Sequence, residues 1–146
     1  MVTYRSRQFG WILIGLADVL VVVAFVLGVF VGGALALTGL VLFIASLLLT
    51  FTAILTVTVD DEHLTAAFTL GWPVYRVPIA EITDTEAVRN AAWWGLGIRR
   101  VPGGVWMYNV GGLDAVEITR GDGQRFRIGT NDPRGLLAAI DTARRA

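Results

Sequence analysis

Between Trp11 and Val59 the chain carries one ionisable side chain, Asp18. The nearest Arg before the run is Arg7, and the first acid after it is Asp60. A hydrocarbon core about 30 Å thick is crossed by about 20 apolar residues in a helix, and this run holds two such lengths. Gly32-Gly33 stands where a hairpin would turn. The sequence therefore predicts a two-helix transmembrane hairpin over residues 11–53, with a short cytoplasmic segment over 1–10 and a polar domain over 54–146.

The first span is expected from Trp11 to Val31, with Tyr4, Phe9 and Trp11 near a headgroup layer that suits aromatic rings. The second is expected from Ala34 to about Ala53. Its end is set by a change of period, because Leu55-Thr56-Val57-Thr58-Val59 alternates apolar and hydroxyl residues as a strand does. Ala34-Leu35-Ala36 has the pattern of a signal-peptide cleavage site. The apolar stretch before it, however, exceeds the usual 7–15 residues and a second apolar run follows at once. Arg5 and Arg7 place the N-terminus in the cytoplasm, and two spans carry the C-terminus to the same side.

Within the apolar run, Ala24, Gly28 and Gly32 recur every fourth residue. This small-residue face allows close helix approach, inside the hairpin or in a homodimer seam. Asp18 is costly in such a setting, by about 2.5–3.5 kcal/mol at a helix centre. Folding about Gly32-Gly33 brings it level with Ser46 and Thr50, so an interhelical contact among Asp18, Ser46 and Thr50 is expected.

Formal net charge is zero and all twelve basic residues are Arg, so no overall field favours nucleic acid. With no Cys, disulfides and thiol chemistry are excluded. His63 is the one His, and Asp60, Asp61 and Glu62 beside it read as a polar turn rather than as convergent metal ligands. No nucleophile motif or phosphate-binding glycine loop is present. Nothing calls for a cofactor, and the chain reads as no enzyme.

From Thr56 onward short strands and turns follow one another. Leu64, Ala66, Phe68 and Leu70 share one face of a strand, and Gly71-Trp72-Pro73 ends it. Tyr75, Val77 and Ile79 alternate with Val74, Arg76 and Pro78. Further strands are expected near Thr83–Val88 and Val105–Val110. From Asp114 to Thr130 a hairpin turns at Gly121-Asp122-Gly123. Its register pairs Val116 with Ile128, Ile118 with Phe126 and, as a cross-strand ion pair, Glu117 with Arg127. Asp132-Pro133 then opens a helix, and Leu136, Leu137, Ile140 and Ala143 form its apolar stripe.

This layout resembles the bacterial pleckstrin-homology-like domain, a family often attached to two transmembrane helices. The resemblance runs from about Leu55 to Arg145. It is carried by Val77-Pro78-Ile79-Ala80-Glu81-Ile82, Trp94-Gly95-Leu96-Gly97-Ile98-Arg99, Trp106-Met107-Tyr108-Asn109-Val110, Ala115-Val116-Glu117-Ile118 and Ile128-Gly129-Thr130-Asn131-Asp132-Pro133. It implies a membrane α-hairpin plus a mainly β domain, a partly open antiparallel β-barrel of six to seven strands capped by the C-terminal helix. It implies no enzymatic activity. The phosphoinositide-binding members cluster Lys and Arg in the first strand loop. Here that loop is Asp60-Asp61-Glu62-His63, which repels a phosphate and argues against a phosphoinositide at the usual place.

Trp93, Arg99, Arg100 and Arg76 are the candidate partner or lipid surface. The function expected is a membrane-anchored, non-catalytic interaction module at the cytoplasmic face of a bacterial plasma membrane. Its partners are the bilayer and another membrane protein or a second copy of itself, with no nucleic acid. The alternative is a small accessory subunit of a transport or envelope-synthesis complex, with the hairpin and Asp18 as its working part.

Overall fold

The computed structural model describes residues 2–31, 33–71 and 74–146. Gly32, Trp72 and Pro73, read above as part of the hairpin turn, the small-residue face and a strand break, lie outside the described residues. The chain begins with a strand, β1 (Val2–Phe9). A long helix follows, α1 (Trp11–Val26), which continues as a π-helical turn over Leu27–Val31. A second helix, α2 (Ala34–Phe51), returns beside it and leads into β2 (Ile54–Asp60).

The described residues ahead of α1 therefore belong to the first sheet. Strand β1 pairs antiparallel with β2, from Phe9 opposite Ile54 to Val2 opposite Asp60. At its end the Gly10 N–H donates to the Ala53 carbonyl at 2.7 Å. The two helices are thus the loop of a β-hairpin. The signal for β1 was weak because its inward positions include Ser6 and Gln8, polar residues where a strand usually shows apolar ones.

Two sheets follow from this start. β2, β3 (His63–Phe68) and β4 (Val74–Pro78) complete a four-stranded antiparallel sheet in the order β1-β2-β3-β4. The other strands are β5 (Ile82–Arg89), β6 (Gly97–Val101), β7 (Val105–Asn109), β8 (Asp114–Arg120) and β9 (Arg125–Gly129). They form a second sheet in the order β5-β8-β9-β7-β6, antiparallel except where β7 runs parallel to β9. The hairpin register expected for β8 and β9 is observed, with Val116 opposite Ile128, Glu117 opposite Arg127 and Ile118 opposite Phe126. Glu117 Oε2 accepts from Arg127 Nε at 2.6 Å.

The expected barrel is not formed, and among the described residues the region read as the polar domain holds eight strands, β2 to β9, rather than six or seven. Pro78 ends β4, and the 3-10 turn Ile79–Glu81 redirects the chain into the other sheet before β5 can pair with β4. The helix α3 (Pro133–Arg145) lies against β1, β2, β5 and β8 and so fills the gap between the two edge strands β1 and β5. Its start follows expectation, with Asp132 Oδ1 accepting from the Gly135 N–H at 2.9 Å and Pro133 in the first turn. The core is shared by both sheets and α3, and includes Leu55, Val57, Leu64, Phe68, Ile118, Phe126, Ile128, Leu136 and Ile140.

Among the described residues one helical stretch, Trp11–Val31, is long and apolar enough to cross a membrane, with a mean hydropathy of 2.9. The second apolar helix is shorter than expected, since the backbone turns into β2 after Phe51 rather than after Ala53. The pair of equal spans read from composition is thus one full-length helix and one shorter partner. The two pack closely where α2 carries Gly39, whose missing side chain admits the Ala24 carbonyl. Ala24 and Gly28 therefore meet α2, in keeping with packing inside the pair. Elsewhere their surfaces are bare, and Ile12, Val19, Val22, Phe25 and Phe30 are all exposed. A helix that is apolar all round and uncovered by its own chain has the surface of a lipid-facing one.

Candidate interaction surfaces

Three regions hold the candidate side chains. The first is the end of the domain from which the helices leave. Gln8, buried on β1, donates its amide to the Gly111 carbonyl and to Asn131 Oδ1. Asn109 fixes the adjoining turn, with Nδ2 donating to Gly112 O at 3.1 Å and Oδ1 accepting from Gly111 N at 3.2 Å. The Asn90 N–H donates to Leu113 O, and Gly97 pairs with Asn109. These bonds gather residues 90–96 and 110–113 at the same end as Gly10 and Ala53.

Trp93 sits in this gathering, on the 3-10 turn Ala92–Trp94, and is 85% exposed. Its neighbour Trp94 is covered by Val101, Val105 and Met107, with the Arg127 guanidinium over its ring at 5.1 Å. One Trp of the pair is therefore structural and the other free. Arg99 and Arg100 follow on β6, both exposed. Adjacent strand residues point to opposite faces, so they do not form one patch. Arg99 folds back on the Leu96 carbonyl and Arg100 Nε donates to Gly104 O at 3.3 Å. Arg76 is not with them. It lies on β4, on the outer face of the other sheet, with a guanidinium nitrogen 3.1 Å from His63 Nδ1.

The second region is within the helices. Asp18 is exposed on α1, and among the described residues its carboxylate has no hydrogen-bond or ion-pair partner. Ser46 is buried, but its hydroxyl donates to Phe43 O at 2.7 Å, and the Thr50 hydroxyl donates to Ser46 O at 2.9 Å. Both hydroxyls are satisfied by their own helix, a common habit of Ser and Thr. The expected contact among Asp18, Ser46 and Thr50 is not made. Matching depth is insufficient, since each residue advances 100° around the helix, and Asp18 is exposed one step round from the buried Ala17.

A third region was not anticipated. Where α3 closes one side of the two sheets, the opposite side stays open. A cleft of about 540 Å³ there is lined by Tyr75, Trp106, Tyr108 and Phe126, with Arg100 and Arg125 at its rim. The Tyr75 ring lies 5.1 Å from Tyr108 and 4.5 Å from Phe126. Desolvation raises the pKa of both phenols above the ordinary tyrosine value, so both remain protonated donors at neutral pH. Alternation in β7 puts Trp106 and Tyr108 on one face. Only the non-local pairing of β7 with β9 brings them opposite Tyr75.

The acidic loop is a turn, as expected. Asp60 Oδ1 accepts from the Glu62 N–H at 2.9 Å and the His63 N–H at 2.6 Å, bonds that hold its carboxyl below the usual range. No family model, curated protein or solved structure matches this chain.

Proposed function

We propose that this protein is a membrane-anchored, non-catalytic interaction module, of the pleckstrin-homology-like kind, at the cytoplasmic face of a bacterial plasma membrane. The observation that carries the anchoring is the pairing of β1 with β2 across the base of the helices. If α1 crosses a bilayer, strand pairing requires the chain to return to the side it left. Only α2 can bring it back. Its 18 residues fall within the range of about 17–25 that spans a hydrocarbon core. Cleavage after Ala36 would strip β1 from its sheet, which argues against reading α1 as a signal sequence. The aromatic stack of Phe9 on Trp11, with centroids 5.7 Å apart, marks the interface, and Arg5 and Arg7 set the sheets in the cytoplasm. The exposure of Trp93 at the end of the domain from which the helices leave supports a contact with headgroups or a membrane partner.

The absence of Cys makes the topology easy to test. Asp122→Cys should react with an impermeant thiol reagent only in opened cells, and Gly33→Cys should react in intact ones. Labelling of both from the same side would overturn the double crossing.

A second reading, an accessory subunit with the helices as its working part, is favoured by the unpartnered Asp18. Asp18→Leu should make insertion of α1 more favourable by about 3 kcal/mol, measured by a glycosylation-mapping insertion assay. If Asp18 serves a partner, the same variant loses cellular function at unchanged abundance. Retained function assigns Asp18 no such role.

A further inference from the structure

Alternation divides the first sheet cleanly. Tyr4, Ser6 and Gln8 of β1 turn inward, while Arg5, Arg7 and Phe9 turn out. In register beside them on the outer face stand Thr56 and Ala67 next to Arg7, and Thr58, Thr65 and Arg76 next to Arg5. The acids of this face, Asp60 and its loop neighbours, are at the far end, and Asp60 is engaged with its own turn. Among the described residues neither Arg5 nor Arg7 has a hydrogen-bond or ion-pair partner. A groove of about 450 Å³ runs past both, lined by Ile54, Thr56, Ala67 and Thr69 and reaching the end of α2. There the Thr69 hydroxyl donates to Thr50 O at 3.2 Å.

Position relative to the bilayer decides what such a groove meets. Outward residues on a strand are about 6.6 Å apart, so Arg7 stands one step from the Phe9–Trp11 stack and Arg5 two. The polar layer on each side of a hydrocarbon core is about 5–8 Å deep. Arg7 therefore lies at headgroup depth, and Arg5, about 13 Å from the stack, reaches back toward that layer with its long side chain. A guanidinium binds phosphate oxygens in a bidentate fork. The threonine hydroxyls add donors beside it, and Ile54 and Ala67 give the glycerol end an apolar wall.

We propose that this groove is a binding site for the headgroup of an anionic glycerophospholipid of the phosphatidylglycerol class, taken from the bilayer that holds the helices. A zwitterionic head fits worse, because two unpaired guanidiniums repel its cationic end. The site rests on the membrane-anchored reading, and it is separate from the Trp93 end of the domain.

The test uses the full-length chain reconstituted in mixed phosphatidylcholine and phosphatidylglycerol vesicles, with retained lipids counted by native mass spectrometry. The wild-type chain should retain phosphatidylglycerol well above its share of the mixture. Arg5→Gln with Arg7→Gln should reduce that enrichment roughly thirtyfold, and Arg5→Lys with Arg7→Lys should restore much of it. Arg134→Gln with Arg145→Gln, both exposed on α3, should leave it unchanged. An enrichment that survives the Arg5/Arg7 double change, or that disappears in the Arg134/Arg145 control, overturns the site while leaving the anchor intact. Release of the wild-type chain from the vesicles by alkaline carbonate overturns the anchored reading itself. Equal competition by free glycerol phosphate would show a soluble-anion site and overturn the lipid assignment.

Discussion

Replacing Phe126 by Ala should cost about 3–5 kcal/mol of unfolding free energy, a large share of the 5–15 kcal/mol that holds a domain together. Phe126 is only 2% exposed. It pairs across β8 with Ile118 and across β7 with Trp106, and its ring touches Tyr75 of the opposite sheet. It is therefore one of the rings, with Tyr75 and Tyr108, through which the two sheets grip each other on the side that α3 does not cover. Its removal leaves a cavity opening into the cleft, which Tyr75 and Tyr108 cannot fill without leaving their strands. Urea unfolding of the full chain in mild detergent, followed by near-ultraviolet circular dichroism, measures the loss. Phe126→Leu should recover most of it. A loss under about 1 kcal/mol would mean that the sheets are not joined through this ring.

Gly10→Ala should be nearly as damaging, at about 3 kcal/mol, for a different reason. A methyl group there would lie 2.5 Å from the Val110 carbonyl oxygen and 3.1 Å from that of Ala53. Both are backbone atoms that cannot swing aside. The methyl would wedge β1 away from β2 where the helices join the sheet. Hydrogen exchange should show lost protection in β1 and β2 with β8 and β9 still protected. Gly15→Ala is the control. Nothing lies within 4 Å of its added methyl, so the change should be neutral or favourable by up to about 1 kcal/mol through helix propensity. Equal effects at the two positions would rule out the wedge.

What could be read from the sequence was what is local. The β8–β9 register followed from a three-residue turn and its flanking alternation, and it carried the Glu117–Arg127 pair with it. Asp132 and Pro133 announced α3. Features fixed at a distance were hidden. Strand β1 finds its partner beyond both helices, and Ser6 and Gln8 disguise its inward face. Strand β6 is short, bracketed by Gly97 and Pro102, and mostly exposed, so it lacked an apolar period to reveal it. The rotation of α1 that leaves Asp18 exposed depends on where Ala24 seats against Gly39, a packing detail that hydropathy does not contain. The aromatic cleft needs three strands from two sheets, and no short window spans them.

The joining of β1 to β2 also has a consequence for how the molecule is made. Strand β1 is synthesised before β2, its partner in the sheet, which follows after both helices. Until then it exposes an unpaired edge, and such edges invite association with other chains. Its two arginines on the outward face are a common defence against that association. Completion of the first sheet is thereby tied to the correct return of α2. A nascent chain whose second helix fails to come back leaves β2 without β1 and the α3 seat half built. Quality control during biogenesis could then recognise failed insertion from the domain alone, by the uncovered face of Val57 and Leu55.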